Sequence, residues 1–540
     1  MELVALGPGD PGPAPEPLTR AIVLIGYMGA GKTTVGRFLA QTLRRPLVDL
    51  DEALEAREGL SIPEIFAQKG EGYFRDLETR ILREYAHGPE PRILAAGGGA
   101  VVREENRAIL NQTQAYYLKA PPEVLWARLH GPERAHRPLA QSQADFLARF
   151  GQRKPLYESV GQPISALEAP IGVAERIALD FLAAEDFSLT VEGRQSRIRT
   201  LALKSAIYPR LRALAQGHKT FVLLDRAFLN EAPLFKALLP EAVVYCPKAK
   251  GEAAKTLAEA EAILTLMAEN RLDRSDCLLA KGGGALTDLG GFCAGLYKRG
   301  LNLILWPTTL LGAVDAAIGG KTAVNLLGVK NQVGLFYAPN ETWLEPGTIA
   351  NCPAPLLAEG LVEALKTGLL FDPELAWLVE NNLAWLLRGD LPLVLEVARR
   401  SAQAKARLVE KDFREEKGLR DVLNLGHTYG HVAESFHGPA LSHGRAVALG
   451  LAVALEVSLS YGFDPHLAAR LQKLCLSLAG EFPDPVPAAE ARRLLAFDKK
   501  IRAGRLKFVV LKAPGEPEVL TDFEPERALA AAEALALRLS

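Results

Sequence analysis

The stretch AIVLIGYMGAGKTTVGRFLA, residues 21–40, runs from an apolar strand through a glycine turn into an amphipathic helix. Gly26, Gly31, Lys32 and Thr33 fit the phosphate-binding pattern G-x-x-x-x-G-K-[ST]. Glycines let backbone N–H groups face phosphate oxygens, and the helix start adds the positive end of its dipole. Lys32 reaches the outer phosphates and Thr33 ligates Mg²⁺. Gly29, Gly31, Lys32, Thr33 and Thr34 are therefore the candidate residues for ATP with Mg²⁺. A strand, P-loop and helix in this order predict an α/β domain with a parallel sheet and helices on both faces.

Working outward, the next apolar run, PLVDLD, ends in Asp49 and Asp51. Alternate residues of a strand point the same way, so one carboxylate can serve Mg²⁺ and the other the nucleophile. GEGYFRDLE then places Arg75 and Glu78 on a helix. ILAAGGGAVV runs a strand into Gly97, Gly98 and Gly99, at the carboxyl end where open α/β sheets bind ligands. Residues 1–17 are too rich in Pro and Gly for regular structure and read as a flexible leader.

Residues 20 to about 183 resemble a shikimate kinase. The motifs in order are the P-loop, Asp49-x-Asp51, Phe74-Arg75-x-x-Glu78, the Gly97–Gly99 turn, Arg137-Pro138-Leu139 and Arg153-x-Pro-Leu-Tyr157. The resemblance implies that Asp51, Arg75, Gly98, Gly99 and Arg153 surround shikimate, with Asp51 accepting the proton of the attacking hydroxyl. It implies that Asp49 orients Mg²⁺ through its water shell and that Arg137 closes over the phosphates from a lid. A small anionic triol does need arginines for its carboxylate and an acid for its hydroxyls.

The 540 residues exceed what one core supports, and two large domains are expected. With 49% hydrophobic and 24% charged residues and a net charge of −1, the composition is that of a globular protein with no electrostatic case for nucleic acid or an acidic membrane. Small-molecule partners follow. Five widely spaced cysteines without a Cys-x-x-Cys pair read as free thiols in a reducing compartment. No signal-like start and no uninterrupted apolar run of membrane-spanning length are visible, so a cytoplasmic location is expected.

VAERIALDFLAA has helical spacing and EDFSLTVEG alternates like a strand, which puts the boundary near Glu185. The first domain is thus 18–184 and the second 185–540. In the second, strands and helices alternate to about Tyr337 and helices dominate beyond, predicting an α/β nucleotide-binding part at 185–337 and a helical part at 338–540. TFVLLDRAF leaves Asp225 at a strand end, suited to a ribose, and KGEAAKT offers Glu252 and Lys255. CLLAKGGGALTDLGGF brings Gly282, Gly283, Gly284 and Asp288 to a strand–turn–helix, a pyrophosphate site. The stretch 306–334 crowds Thr308, Thr309, Asp315, Lys321, Asn325, Lys330 and Asn331 among Gly and Ala, which core packing does not explain.

Residues 420–443, RDVLNLGHTYGHVAESFHGPALSH, hold four of the nine histidines. On a helix, His427, His431 and Glu434 share one face, and His443 follows a Gly-Pro break that lets it fold back. This is metal-ligand spacing. Glu363 and Lys366, three apart, would ordinarily be a surface ion pair; beside the histidines, Glu363 becomes the missing carboxylate.

Nearly all of residues 187–540 resemble 3-dehydroquinate synthase. The match runs through Gly-Gly-Gly-x-x-x-Asp288, Tyr297-x-Arg299-Gly300, Pro307-Thr-Thr, Gly-Gly-Lys321-Thr, Lys330-Asn331, Glu363-x-x-Lys366, Leu-Asn424-Leu-Gly-His-Thr-x-Gly-His and Asp498-Lys499-Lys500. The resemblance implies a Rossmann-like NAD⁺-binding part and Zn²⁺ (or Co²⁺) held by Glu363, His427 and His443, with His431 near the substrate. It implies NAD⁺ contacts from Asp225, Glu252, Lys255, Gly283, Gly284, Asp288, Thr308, Thr309 and Lys330. Substrate phosphate and carboxylate would meet Arg299, Lys321, Asn331, Lys366, Arg420 and Asn424, with one lysine of the Lys499–Lys500 pair, Lys500 being the working choice. Lys321, Lys366 and His431 would act in catalysis.

Together the two resemblances imply a bifunctional shikimate-pathway enzyme acting on shikimate, ATP and a heptulosonate phosphate, and a homodimer through the C-terminal domain. Three positions depart from the second family's pattern: Thr287 in place of glycine, Arg445 in place of glutamate, and a stretch from Asp412 to Arg420 longer by one residue. Thr287 would crowd the pyrophosphate, and Arg445 would reverse a charge near His443. Other readings are a different sugar-phosphate cyclase, a metal-dependent alcohol dehydrogenase of related fold, or one half serving only as a binding or regulatory module.

Overall fold

The apolar run Ile22–Ile25 forms β1, buried on both faces as a central parallel strand must be. The structure, a computed structural model, describes residues 20–130, 142–216, 218–480, 486–496 and 506–539. Arg137, Lys499, Lys500 and the leader lie outside the described residues. Contacts divide the described residues into two units that part between Ala183 and Ala184, with Asp390–Pro392 grouped with the first.

In the first unit, α1 (Lys32–Leu43) follows the P-loop and β2 (Leu47–Asp49) comes next. Helix α2 (Ile62–Ala86) is broken at Gly70, whose φ of 81° only glycine adopts readily. Strands β3 (Ile93–Ala95) and β4 (Gln114–Lys119), helix α3 (Gln143–Val160), strand β5 (Gln162–Ser165) and helix α4 (Pro170–Phe181) complete the framework. The sheet is parallel throughout, in the order β2-β3-β1-β4-β5. Because β1 lies where the strand order reverses, a crevice opens at its carboxyl end, and the P-loop fills that position.

The second unit opens with the antiparallel pair β6 (Phe187–Val191) and β7 (Arg194–Thr200). Then come β8 (Thr220–Leu224), β9 (Val243–Tyr245), β10 (Cys277–Gly282), helix α5 (Gly284–Leu296) and β11 (Asn302–Pro307). The hairpin β12 (Lys321–Leu326) and β13 (Val329–Phe336) stands apart from the main sheet, and β14 (Glu341–Leu344) returns to it. The order is β6-β7-β14-β11-β10-β8-β9. The break expected at Tyr337 therefore falls one strand early: β14 lies between β7 and β11. With four residues after a Pro339-Asn340 turn it is too short to show a period, and Asn340 pins it by exchanging hydrogen bonds with the Leu303 backbone. Side chains of β8, β10 and β11 build one core under α5 and another on the opposite face, around Phe235, Trp306 and Trp343.

The helical part contains α6 (Ala354–Phe371), α7 (Leu391–Lys411), α8 (His427–His437), α9 (His443–Ser458) and α10 (Pro465–Ala479), with a hairpin of β15 (Phe508–Ala513) and β16 (Glu516–Leu520). The sequence showed no membrane-length apolar run, yet His443–Tyr461 is one helical stretch long and apolar enough to cross a bilayer. Its apolar character serves packing instead, since 72% of that window is buried inside the protein. Helix α9 lies so close to the start of α8 that any Cβ on Gly450 would overlap the Gly426 carbonyl oxygen.

Two candidate active sites

In the first unit, Gly29 and Gly31 have φ of 83° and 87°, and a Cβ on Gly29 would stand 2.6 Å from the Leu125 carbonyl oxygen. Lys32 Nζ donates to the Gly26 carbonyl at 2.8 Å, which keeps the ammonium over the loop. Thr33 Oγ1 donates to Asp49 Oδ2 at 2.7 Å, and Asp49 Oδ1 accepts from the Asp51 backbone N–H at 3.1 Å. An oxygen pair from β2 and α1 beside a phosphate loop suits Mg²⁺, a hard cation that takes one or two protein oxygens. Thr34 follows in the first turn of α1.

The triple glycine acquires a physical reason. A Cβ on Gly97 would stand 2.6 Å from Asp51 Oδ1, and one on Gly99 would overlap the Arg75 guanidinium. Gly98 offers its carbonyl to Arg153 Nη1 at 3.0 Å and to the Tyr157 hydroxyl at 2.5 Å. Asp51, Arg75, Gly98, Gly99 and Arg153 thus meet at one turn. Arg75 is held by Glu78 at 2.9 Å and by Glu71 at 3.2 Å. Burial raises the pKa of Glu78, with the charges of Arg75 and Arg153 opposing it.

In the second unit, β10 ends in Gly282 and α5 begins at Gly284, so the turn aims a helix N-terminus at the sheet edge. Thr308 donates its N–H to the Gly282 carbonyl at 2.9 Å, and the Thr309 hydroxyl accepts from Gly312 N at 3.1 Å. Asp225 caps the turn after β8 and, with Arg226, Pro247, Gly251 and Gly283, lines an open pocket. Lys255, almost fully buried, pairs with Asp288 at 2.5 Å and with the Asn331 side chain. Desolvation raises the Asp288 pKa to about 6 against the pull of Lys255. Glu252 accepts from Asn325 at 2.8 Å. A glycine turn, a helix start and a strand-end acid fit a dinucleotide.

Thr287 does not crowd this turn. Its hydroxyl bonds back to the Gly284 carbonyl of its own helix at 2.9 Å.

In the helical part, Glu363 on α6, His427 at the start of α8 and His443 at the start of α9 converge, with ligand atoms within 4.8 Å of one another. The two histidine Nε2 atoms stand 3.5 and 3.7 Å from Glu363 Oε1. Each Nδ1 is occupied elsewhere: that of His427 faces the Leu425 carbonyl at 3.2 Å, and that of His443 faces Glu434 Oε2 at 3.1 Å. This leaves both Nε2 atoms for a metal, in the arrangement by which outer partners orient ligating imidazoles. Glu363 is 1% exposed, and neither carboxylate oxygen has a donor aligned for a hydrogen bond, although Lys366 Nζ lies 2.5 Å away. Burial alone would raise its pKa, but Lys366 and the histidines hold it well below the usual range. Burial keeps His427 neutral, whereas Glu363 and Glu434 outweigh burial at His443 and push it up to about 10, a proton that a cation would replace.

His431, Glu434 and His443 form a second group of possible ligands. Glu434, however, already accepts from His443 and from Lys330 Nζ at 2.6 Å, so the spacing that suggested it as a ligand marks an outer partner. Lys330, expected at the cofactor, meets Glu434 in this structure. Arg445 turns its Nε to the Ala479 carbonyl at the end of α10 at 2.5 Å.

Arg420 and Asn424 lie on the 3₁₀ turn Leu419–Asn424, just ahead of α8. Lys321 and Arg420 both meet Glu415. Arg299, expected at the substrate, lies just past the C-terminal end of α5, in the turn Tyr297–Arg299. A residue that sequence reasoning missed is Lys405, 7% exposed, whose Nζ donates to the carbonyl and Oδ1 of Asp315, both at 2.6 Å. The signal was present: Lys405 falls on the stripe of buried Val394, Ala398, Ala402 and Val409 on α7.

Three family models match the chain: shikimate kinase over 28–178, the N-terminal part of 3-dehydroquinate synthase over 245–358 and its C-terminal part over 360–501. A Thermotoga maritima protein named bifunctional shikimate kinase/3-dehydroquinate synthase is 32% identical over 511 residues, 92% of this chain and 97% of that protein. A 3-dehydroquinate synthase of Halorhodospira halophila is 37% identical over 56% of this chain and 88% of its own length. Among solved structures, a 2-epi-5-epi-valiolone synthase from Streptomyces hygroscopicus with NAD⁺ and Zn²⁺ bound aligns with a TM-score of 0.57 and 26% identity, over 63% of this chain and 96% of its own. With both sites assembled and the relationship extending over nearly the whole length, the chain belongs to the family of bifunctional shikimate kinase/3-dehydroquinate synthases.

Proposed function

We infer that the chain performs two reactions of aromatic amino acid biosynthesis. The first unit phosphorylates the 3-hydroxyl of shikimate from ATP. The second converts 3-deoxy-D-arabino-heptulosonate 7-phosphate to 3-dehydroquinate with release of phosphate. The observation that carries the second assignment is the convergence of Glu363, His427 and His443 in the same unit as the glycine turn at Gly283. When bound, Mg²⁺ would neutralise phosphate charge, NAD⁺ would take and return a hydride, and Zn²⁺ or Co²⁺ would polarise a substrate oxygen.

The remaining work falls to side chains. Asp51 accepts the proton of the attacking hydroxyl while Arg75, buttressed by Glu78, and Arg153 hold the substrate carboxylate. Lys32 supports charge on the phosphoryl group in transfer. In the second site Lys321, Arg420, Asn331 and Asn424 hold the phosphate and carboxylate of the substrate, and Lys366 stands against Glu363. Because Lys366 neutralises the buried Glu363, that carboxylate stays ionised and available as a ligand. His431, its ring 5.5 Å from that of His427, supplies a proton-accepting nitrogen at the substrate. A homodimer through the second unit and a cytoplasmic location complete the reading. All five cysteines being free thiols supports that location, and light scattering tests the dimer.

The test is phosphate release from the heptulosonate phosphate by the full chain, with and without NAD⁺, after chelation and after zinc return. A requirement for both with no net NADH is expected; release only from some other sugar phosphate would overturn the substrate assignment. Shikimate-dependent ADP formation tests the first unit separately.

A further inference from the structure

Lys321 and Arg420 are already bridged by a carboxylate of the chain itself. Glu415 Oε1 contacts Lys321 Nζ and lies 3.3 Å from Arg420 Nε. The two sides of this contact differ in how freely they can leave it. The Arg420 side chain is 3% exposed; its Nη1 is satisfied by the Phe413 carbonyl at 3.0 Å, while its Nε is buried with no acceptor in line. Such a guanidinium retains the capacity to bind an anion of better geometry. The Glu415 side chain is 36% exposed and can swing into water at little cost.

The loop that carries Glu415 is built to present it. Asp412 closes the loop by accepting the backbone N–H groups of Lys417 at 3.1 Å and Leu419 at 3.0 Å. Arg414 is anchored on Glu192 in the turn between β6 and β7, and Glu410 accepts from the Thr190 N–H at 2.8 Å. Between these anchors Glu415 has φ of 58°, a left-handed conformation that a non-glycine residue adopts only when its surroundings impose it. This is the same stretch whose length departs from the family pattern.

We propose that Glu415 is a built-in competitor for the anion subsite of the second active site and so determines its specificity, admitting a phosphate dianion and turning away monoanionic or neutral sugars. The proposal rests on the reading that Lys321 and Arg420 take the anion of the substrate. A tethered carboxylate is present at high effective concentration, so a ligand with one charge gains nothing by replacing it and still bears the cost of association. A phosphate dianion brings a second charge and three acceptor oxygens, one of which can meet the unaligned Arg420 Nε. Once phosphate has left the substrate, the carboxylate can return and hasten its departure.

The variant is Glu415→Gln in the full chain loaded with zinc and NAD⁺, compared with wild type by inhibition with inorganic phosphate, by KM for the heptulosonate phosphate and by calorimetric titration with phosphate alone. The Kd and Ki of phosphate and the KM are expected to fall together about three- to tenfold, and the unphosphorylated heptulosonate to become a measurable inhibitor. Glu192→Gln, which frees Arg414 without touching the subsite, is expected to shift phosphate affinity the same way by a smaller factor. Unchanged phosphate affinity in Glu415→Gln overturns the inference. So does a raised KM with a fallen kcat, which would make Glu415 a residue that orients Lys321. Failure of the wild type to release phosphate from its substrate would instead overturn the functional reading, and the phosphate titration would still decide the role of Glu415.

Discussion

Removing Glu434 isolates what an outer partner contributes to the metal site. Its carboxylate accepts from His443 Nδ1 at 3.1 Å and from Lys330 Nζ at 2.6 Å. Burial would raise its pKa, yet those two partners hold it near 2, so it is fully charged at neutral pH. Two effects follow from Glu434→Ala: the His443 ring loses its orientation, and its Nε2 loses basicity because no anion stabilises the Nδ1 proton. Loss of such a partner costs about 10- to 100-fold in metal affinity. At ~1.4 kcal/mol per tenfold this is about 1.4–2.8 kcal/mol. Glu434→Gln retains an acceptor without the charge and should lie at the lower end. The assay is competition for zinc against a chromophoric chelator, with shikimate kinase activity of the same preparation as the folding control. Saturating zinc should restore much of the phosphate release. Zinc affinity of Glu434→Ala within threefold of wild type, with kinase activity intact, would refute the assignment of Glu434 as the orienting partner.

Lys32→Ala should abolish phosphoryl transfer and leave phosphate release from the heptulosonate phosphate intact, and His427→Ala should do the reverse; coupled assays on one preparation check both. Gly99→Ala places a methyl group inside the Arg75 guanidinium, so KM for shikimate should rise by at least about tenfold while KM for ATP changes little, measured by initial rates. Gly450→Ala forces α9 away from the start of α8, since its Cβ would overlap the Gly426 carbonyl. It should destabilise the second unit by about 3 kcal/mol or more and lower zinc occupancy, read by calorimetric melting and metal analysis.

How far the chain can be read from its sequence depends on where each residue's partners lie. The P-loop is legible because the whole device, strand, glycine turn and helix, is contiguous, and the structure adds the Thr33–Asp49 bond and the approach of the Leu125 carbonyl to Gly29. The triple glycine at Gly97 is half legible. Sequence marks a close approach, but that the approaching groups are Asp51 and Arg75 is a fact of tertiary folding. The second sheet is less legible at β14, where four residues cannot display a period and a parallel neighbour far away in sequence decides the pairing.

The histidine cluster shows most clearly why spacing stops short. Helical periodicity places His427, His431 and Glu434 on one face of α8, and all three do approach the site, but a period cannot rank them. Ranking comes from the other ends of the side chains. Leu425 and Glu434 take the Nδ1 atoms of His427 and His443, which leaves two Nε2 atoms facing a buried carboxylate without aligned donors, on a helix more than fifty residues earlier in the chain. Lys405 makes the same point in reverse. A lysine on an apolar stripe reads as an error of pattern until Asp315, ninety residues away, supplies the charge that lets it be buried. Unmatched polar residues on otherwise regular apolar faces are thus the places where sequence periodicity, precisely by failing, points to a site whose other half lies elsewhere in the chain.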